Sequence, residues 1–301
     1  MATIKHWISA FRLRTLFLAV ATVILGNGLA LHEGKFNIVV FLIALLLAIS
    51  MQILANLAND LGDYFKGTDT TGKRQGPTRS LQGGVVSVSE MKNAIAIFVI
   101  ICSISGIILI GSAYQYINRS YAIILLGLGA LCILAALLYT IGEKAYGYKG
   151  WGDFFAFVFF GPVPVIGTYF LITHIVDFRP VMPAIGLGII STMILNINNM
   201  RDIDNDRSSG KITVAVRLGL SKSKMYHTFL TFASFLCFLT YNYMYELTSW
   251  YRYIYLLFFI LLFKILIQIQ NKEGSDLDPY LKLTSISGFL IAVSFSICIN
   301  F

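Results

Sequence analysis

The sequence predicts an all-α integral membrane protein with nine transmembrane helices. Hydrophobic residues make up 57% of its 301 residues and charged residues only 13%, and the mean hydropathy is +0.75. A soluble domain normally carries about 25% charged residues. Nine nearly charge-free runs also reach the length of about 20 residues that a helix needs to cross a bilayer. These observations exclude a soluble globular fold.

The nine runs follow one another without a linker rich in proline, glycine or serine. We therefore expect residues 1–301 to form a single intramembrane domain. From the amino terminus, the predicted spans cover roughly 14–32, 38–58, 92–113, 121–141, 154–174, 182–200, 225–246, 251–269 and 281–301.

The amino-terminal segment precedes the first span and differs from it in composition. It combines the aromatic residues Trp7 and Phe11 with the cations Lys5, Arg12 and Arg14, a mixture typical of a helix that lies in the membrane interface. Cations before an apolar run also occur in signal peptides. We favour a retained first helix, because the interfacial segment leads directly into it.

The positive charge is distributed unevenly between the two ends of the predicted helices. If the amino terminus is cytoplasmic, the opposite side holds only Lys35, Arg119, Arg179 and Arg252, while Lys264 falls inside the eighth span. All other lysines and arginines lie on the cytoplasmic side, as the positive-inside rule requires. This distribution explains the net charge of +8 without a nucleic-acid partner. We expect a multi-pass protein of the inner (plasma) membrane with a cytoplasmic amino terminus.

The substantial polar loops all fall on this cytoplasmic side. They cover residues 59–91, 142–153 and 201–224, whereas the loops on the opposite side, such as 32–37 and 113–120, are short. The chemistry of the protein is therefore expected at the cytoplasmic face.

Two acidic motifs end apolar spans on this face. Asn59 and Asp63 are four residues apart, and Asn198, Asp202 and Asp206 follow one another at the same spacing. Residues four apart share one face of a helix. Ionisable groups at such positions are costly and therefore mark function. Sliding the chain along itself aligns the two motifs, which suggests a duplicated four-helix unit that would set them face to face across a cavity.

Clustered carboxylates and amides favour Mg²⁺ over zinc or copper, because they are hard oxygen ligands. Asp60 lies three residues before Asp63 and can join the first set, whereas Asp204 points away from the second set. The predicted metal ligands are Asn59, Asp60, Asp63, Asn198, Asp202 and Asp206.

Cations and glycines accompany the acidic motifs in both loops. Mg²⁺ is commonly shared between carboxylates and substrate phosphates, and Lys and Arg bind phosphates directly. Glycines such as Gly72 and Gly76 allow the first loop to fold closely over a ligand. A diphosphate on a membrane-soluble tail fits this combination. The predicted diphosphate-binding residues are Lys66, Lys73, Arg74, Arg79, Arg201, Arg207 and Lys211.

A prenyl diphosphate would leave an allylic cation when its diphosphate departs, and aromatic faces stabilise such cations. Tyr139 is the strongest candidate, because it ends the fourth span on the cytoplasmic side. The predicted catalytic residues are Asp63, Asp202, Tyr139, Lys66 and Arg201, and further aromatic candidates are Tyr64, Phe65, Tyr146, Tyr148, Phe159 and Phe160.

Two other interpretations of the same residues stay open at this point. Asp and Asn at helix ends often only cap helices, and Lys and Arg beside a membrane often only set topology. A secondary transporter with an ion site is the second alternative. Its acidic residues belong in the middle of helices, whereas these end helices beside cations.

The chain resembles the intramembrane aromatic prenyltransferases of the 4-hydroxybenzoate polyprenyltransferase superfamily. The resemblance rests on N-D-L-G-D at 59–63 and R-D-I-D-N-D at 201–206. A closer resemblance, to members that act on 1,4-dihydroxy-2-naphthoate in menaquinone biosynthesis, rests on N-N-M-R-D-I-D-N-D-R-S-S-G-K-I-T-V-A-V-R-L-G at 198–219, L-Y-T at 138–140 and Y-G-Y-K-G-W-G-D at 146–153.

This resemblance implies nine helices around a central cavity that opens laterally to membrane lipid, with cytoplasmic cap loops after the second and sixth helices. It implies transfer of a polyprenyl group from a polyprenyl diphosphate to 1,4-dihydroxy-2-naphthoate, with loss of CO₂, to give demethylmenaquinone. The alternative within this class is a prenyltransferase for another aromatic acceptor, such as 4-hydroxybenzoate. It also implies Mg²⁺ ligation by Asn59, Asp63, Asp202 and Asp206, supported by Asp60 and Asn199. Many members have a further Asp four residues after Asp63, where this chain has Gly67, and Asp69 is the nearest replacement.

Overall fold

The structure is a computed structural model that describes residues 3–69, 71–246 and 249–301, and the described chain is helical, without strands. The helices are α1 (Ile4–Phe11), α2 (Leu13–His32), α3 (Ile38–Phe65), α4 (Val88–Ala113), α5 (Arg119–Leu138), α6 (Gly152–Phe159), α7 (Pro162–Thr173), α8 (Val181–Arg201), α9 (Ile203–Ser208), α10 (Val214–Leu218), α11 (Leu220–Tyr245), α12 (Phe259–Ile269) and α13 (Asp278–Asn300). Three 3₁₀ segments cover Tyr146–Lys149, Trp250–Phe258 and Gly274–Leu277. The all-α prediction is confirmed.

Within the described residues, 8 stretches are long and apolar enough to cross a membrane. They match eight of the nine predicted spans, with α6 and α7 together forming the fifth and α12 continuing a 3₁₀ segment in the eighth. The remaining predicted span corresponds to α11, whose 26 residues also have sufficient length. It is more polar, since it carries Lys222, Lys224 and His227. The prediction of a multi-pass helical membrane protein is confirmed.

Helix α3 is longer than the sequence predicted. The apolar run ends near residue 58, but the helix continues to Phe65. Leu61 extends its buried face past that point, with an exposed fraction of 4%. The first acidic motif therefore lies on the last turns of a helix and not in the following loop. The helix can extend this far because ion pairs, described below, compensate the buried carboxylates of the motif.

The fifth span is interrupted between α6 and α7. Pro162, which lacks a backbone N–H, occupies the first turn of α7, a position where that donor has no helical partner. A Cβ atom on Gly161 would lie 2.4 Å from Cα of Gly188 and 2.6 Å from the carbonyl oxygen of Ala184. The interruption therefore crosses α8 at a distance that only glycine permits.

The helices differ in how much of their surface the protein covers. Helix α2 packs along α13 and α8 along α11, and their main core includes the fully buried Phe238, Tyr241 and Phe295. Helix α5 instead buries only Ala122 and Ala135. Its large exposed side chains are the ones expected to contact lipid, and they include Ile123, Ile124, Leu131 and Leu134.

Two loop regions close one end of the bundle, which we call the acidic end (residues 59–87 and 198–219). The Thr71 hydroxyl donates a hydrogen bond to Oδ1 of Asn205. The backbone N–H of Gln75 donates to Oδ1 of Asp202 at 3.4 Å. The loop after α3 and the loop after α8 therefore form one joint cap over both acidic motifs.

Candidate functional site

The two acidic motifs meet at Lys211. Its Nζ atom lies 3.8 Å from Oδ2 of Asp63 and 3.8 Å from Oδ1 of Asp206. The backbone N–H of Lys211 donates to the carbonyl oxygen of Asp206 at 2.8 Å, which turns the chain back after α9. Lys211 is buried, with an exposed fraction of 5%. The structure thus brings one carboxylate of each motif to the same buried cation.

The first motif uses the last turns of α3. The Tyr148 hydroxyl donates to Oδ1 of Asp63 at 2.6 Å, and Nη1 of Arg79 lies 2.8 Å from its Oδ2. Asp60 forms an ion pair with Arg12. The side-chain oxygen of Asn59 is buried without a hydrogen-bond partner. Both carboxylates are therefore held by cations, while one amide oxygen of the motif is free to bind a ligand.

The second motif spans the junction between α8 and α9. Asp202 directly follows α8, with φ −103° and ψ 18°. Its N–H still donates to the Asn198 carbonyl at 3.2 Å, and the Asp206 N–H donates to the Asp202 carbonyl at 2.8 Å. Asn198, Asp202 and Asp206 therefore lie on one face, as they would in a continuous helix. Asp204, which the spacing assigned to another face, is exposed.

Arg201 fixes the second motif to the rest of the bundle. It donates to both carboxylate oxygens of Asp202, and its Nη2 donates to Oδ1 of Asn198 at 2.9 Å. It also forms an ion pair with Asp278, in the first turn of α13, which pairs with Arg14 at 2.9 Å. With these partners, Arg201 is positioned to orient the motif.

Arg79 is the main cation of the first loop. Its Nη1 atom lies 3.4 Å from Asp60, and its Nε atom lies 3.4 Å from Asp69, in addition to the contact with Asp63. Burial lowers the pKa of Arg79, but these three carboxylates outweigh that effect and hold it above the ordinary value. Arg79 therefore remains a cation among three acids.

Burial and neighbouring charges together set the pKa values of the ionisable groups in the cap. Burial raises the pKa of Asp206 to about 6, although Lys211 acts against this shift. At Asp202 the effect of burial is outweighed by the hydrogen bond and charge of Arg201, which hold its pKa below the ordinary value. Asp206 and Asp63 likewise outweigh burial and raise the pKa of Lys211. Lys211 and Asp202 are therefore charged at neutral pH.

The other predicted diphosphate-binding residues occupy less central places. Arg74 pairs with Asp69 at 2.9 Å. Nζ of Lys66 lies 4.2 Å from the centre of the Tyr148 ring. Lys73 and Arg207 are exposed. The structure therefore brings Arg79 and Lys211 to the carboxylates and leaves Lys73 and Arg207 on the surface of the cap.

A cavity of about 790 Å³ begins at the acidic motifs and continues between the helices. Asn59, Arg79, Asn198 and Lys211 line its polar end. Most of its remaining wall is apolar and comes from α2 to α7. The arrangement places hydrogen-bonding and charged groups at one end of a space suited to a hydrocarbon chain.

Tyr139 lines the same cavity directly after α5 ends. Burial raises the pKa of Tyr139 to about 12, so its side chain is a neutral phenol. Among the other aromatic candidates, Tyr146, Phe159 and Phe160 also line the cavity. Tyr64 and Phe65 are exposed by 37% and 57% and lie away from it.

The donor atoms of the two motifs fit Mg²⁺ better than a soft metal. No group of three or more His, Cys, Asp or Glu side chains in the described chain is arranged to hold a metal ion. The carboxylates instead pair with Arg79, Lys211 and Arg201. The unpartnered oxygen of Asn59 and the cavity position of Asn198 supply hard donors, so a metal held here would add to or replace these ion pairs.

Some residues of the site were not assigned to it from the sequence. Arg12 and Arg14 line the cavity, although the sequence identified them only as cations beside the membrane. Asp278 lies far from both motifs along the chain and carries no motif of its own. Tyr148 was considered only for its aromatic face, whereas its hydroxyl contacts Asp63.

The sequence profile described as the UbiA prenyltransferase family matches residues 19–286. A protein from Haemophilus influenzae named 1,4-dihydroxy-2-naphthoate octaprenyltransferase is 41% identical over 297 residues, covering 98% of this chain and 95% of that protein. A protein of the same name from Escherichia coli is 41% identical over 253 residues, covering 84% and 81%.

Solved structures share this fold at low sequence identity. A UbiA homolog from Archaeoglobus fulgidus, described as bound to GPP and Mg²⁺, superposes with a TM-score of 0.70 at 13% identity, over 98% of this chain and 100% of that one. An apo UbiA homolog from Aeropyrum pernix gives 0.63 at 18% identity, over 100% and 97%. The helical bundle is therefore a fold that this chain shares with these two UbiA homologs.

Proposed function

The chain belongs to the UbiA prenyltransferase family, and we propose that it transfers a polyprenyl group from an allylic polyprenyl diphosphate to 1,4-dihydroxy-2-naphthoate. The acceptor is the one named for relatives that are 41% identical over most of their length. The observation that carries the proposal is the junction at Lys211, where two acidic motifs face each other at the polar end of an apolar cavity.

The acidic end would hold the diphosphate and the cavity its hydrocarbon tail. We assign the metal to Asn59, Asp63, Asn198, Asp202 and Asp206, with Asp60 and Asn199 in support, and Mg²⁺ bound there would offset charge on the departing diphosphate. A UbiA homolog described as bound to GPP and Mg²⁺ supports a divalent metal in this fold. Arg79 and Lys211, which line the cavity and contact the acidic motifs, would contact the diphosphate directly.

The reaction balances without an oxidant or a reductant. The bond between the allylic carbon and the diphosphate oxygen breaks, and its electron pair leaves with diphosphate. The acceptor carbon that carries the carboxylate forms the new bond to the allylic carbon, and CO₂ departs and leaves its electron pair in the ring. The immediate product is therefore the diol, the reduced form of demethylmenaquinone.

The allylic cation needs protection from water while it exists. The apolar cavity wall would exclude water, and the ring of Tyr139 would face the developing charge. Arg79 and Lys211 already carry positive charge without ligand, so they would stabilise diphosphate as its negative charge increases.

A transfer assay tests the proposal. The purified full chain in detergent would be given 1,4-dihydroxy-2-naphthoate, geranyl diphosphate or longer donors, and either Mg²⁺ or a chelator, and the product would be weighed by mass spectrometry. We expect a decarboxylated prenyl product that requires the metal. Asp63→Ala and Asp202→Ala should abolish transfer while the chain remains folded.

Asp204→Ala is the matched control, since Asp204 lies between Asp202 and Asp206 but is exposed. It should retain near-normal turnover. Near-normal turnover of Asp63→Ala or Asp202→Ala with Mg²⁺ present would contradict the assignment of that aspartate as a metal ligand. If the chain prenylates 4-hydroxybenzoate but not dihydroxynaphthoate, prenyl transfer would be supported and the proposed acceptor would be wrong.

A further inference from the structure

Glycines within the membrane helices have two kinds of surroundings. A Cβ atom on Gly28 would lie 2.4 Å from Ser296, and one on Gly188 would lie 2.6 Å from the carbonyl oxygen of Phe157. These glycines permit close helix packing. Gly106 of α4, Gly129 of α5 and Gly167 of α7 differ, because a Cβ atom on each would meet no atom within 4 Å.

These three glycines all line the cavity, and they lie at similar depths. Gly106 is about two turns before α4 ends at Ala113, and Gly167 is about two turns before α7 ends at Thr173. Gly129 is about three turns after α5 begins at Arg119. All three helix ends belong to the side opposite the acidic motifs, so the glycines surround the far part of the cavity.

The cavity reaches this depth from the acidic motifs. Along α3 its wall extends from Asn59 to Ala44, which corresponds to about 22 Å of helix. A diphosphate held at Asn59 and Arg79 would therefore direct its tail toward the three glycines.

Helix stability does not explain why glycine occupies these three positions. Glycine in a helix interior is less favourable than alanine, and no neighbouring helix here requires the absence of a side chain. What the glycines provide is unfilled space inside the cavity wall. Side chains at these positions would project into that space and narrow it.

We propose that Gly106, Gly129 and Gly167, which we call the glycine passage, admit the distal part of the polyprenyl tail and determine the longest donor that the enzyme accepts. This inference rests on the proposed function, because it assigns the tail of the same donor. The ligand is a linear chain of isoprene units, each with a methyl branch, and donors long enough to reach the glycines are accepted because no side chain fills this space.

Single substitutions of the glycine passage test the proposal. Gly106→Phe, Gly129→Phe and Gly167→Phe would be compared in kcat/KM for geranyl diphosphate, which ends before the passage, and octaprenyl diphosphate, which extends through it. We expect at least about a tenfold loss with the octaprenyl donor, since several methylene groups lose their buried site, and geranyl turnover within about twofold of wild type.

Gly111 and Gly127 provide matched controls on the same helices. Each also faces open space, but neither lines the cavity. Gly111→Phe and Gly127→Phe should leave both donors unchanged. Equal losses with short and long donors in the passage variants, or undiminished octaprenyl turnover in all three, would overturn the proposal.

Binding of the donors alone separates this proposal from the reaction. Titration of geranyl and octaprenyl diphosphate into the purified wild-type chain and the same variants, without acceptor, should show the same selective loss of octaprenyl affinity. A wild-type chain that binds both donors but forms no prenylated dihydroxynaphthoate would contradict the proposed function and leave the passage supported.

Discussion

At the scale of single residues, the site depends on a few buried cations that hold carboxylates from distant parts of the chain. Lys211 contacts Asp63 of the first motif and Asp206 of the second. Removal of one partner from a buried ion pair leaves uncompensated charge, which costs about 3–5 kcal/mol. Lys211 therefore contributes both to the stability of the acidic end and to the charge available for a diphosphate.

Lys211→Met should reduce kcat/KM for the prenyl diphosphate by at least about tenfold, because two buried carboxylates would lose their shared cation and the ligand would lose a contact. The variant should also unfold at a lower temperature in detergent. Arg207→Met is the control: Arg207 belongs to the same loop but is exposed, and its loss should change neither measurement. Equal effects of both substitutions would show that only total loop charge matters.

The spacing in the sequence was enough to predict which acidic residues share a face, but not which of the predicted cations are buried beside them. Asn59, Asp63, Asn198, Asp202 and Asp206 follow helical spacing, and helical hydrogen bonds keep that spacing. Arg79 and Lys211 were predicted beside Lys73 and Arg207 without distinction, because the fold of the two loops decides which of them is buried. The contact between Arg201 and Asp278 joins residues too far apart for any local pattern to reveal.

At the scale of helices, the first acidic motif is positioned by the contact between α3 and the turn after α5. The Thr140 hydroxyl donates to the carbonyl oxygen of Ala58 at 2.9 Å. A Cβ atom on Gly62 would lie 2.5 Å from the backbone carbonyl carbon of Thr140. This contact sets the distance between Asp63 on α3 and Tyr139 beside the cavity.

Gly62→Ala should therefore lower stability by about 1–3 kcal/mol, the usual cost of an extra methyl group in a packed contact. Because the substitution pushes Asp63 away from Tyr139, turnover should fall more than donor binding. Thermal unfolding in detergent and a separate determination of kcat and KM measure the two effects. Gly127→Ala, where a Cβ atom meets open space, should be neutral or slightly stabilising; unchanged kcat in Gly62→Ala would contradict the positioning role.

The positions of the helices followed closely from apolar length, but two boundaries did not. Helix α3 continues to Phe65 because Arg12, Arg79 and Lys211 compensate carboxylates that the apolar run excluded. The interruption at Gly161 depends on its contact with Gly188, which lies on another helix. Both features arise from tertiary contacts, and single-sequence patterns do not contain that information.

At the scale of the whole molecule, the two ends of the bundle differ in chemistry. The acidic end holds both motifs, the joint cap and the amino-terminal Arg12, which pairs with Asp60. At the opposite end, Arg179 pairs with Asp177 at 2.8 Å, and Arg252 pairs with Glu246. Most lysines and arginines of the chain lie on the same side of the predicted spans as the acidic end, and we propose that this side faces the cytoplasm.

Labelling of single cysteines tests this orientation. The chain has free cysteines at Cys102, Cys132, Cys237 and Cys298, which would first be replaced by alanine. Lys73→Cys at the acidic end and Arg119→Cys at the opposite end occupy exposed positions. A membrane-impermeant maleimide should label Arg119→Cys when added to cells in which the membrane that holds the protein is intact, and Lys73→Cys only after that membrane is permeabilised. Both variants should retain prenyl transfer, because neither residue contacts the buried carboxylates. The reverse labelling pattern in active variants would place the acidic end outside the cytoplasm, and the charge distribution would then not determine the orientation of this chain.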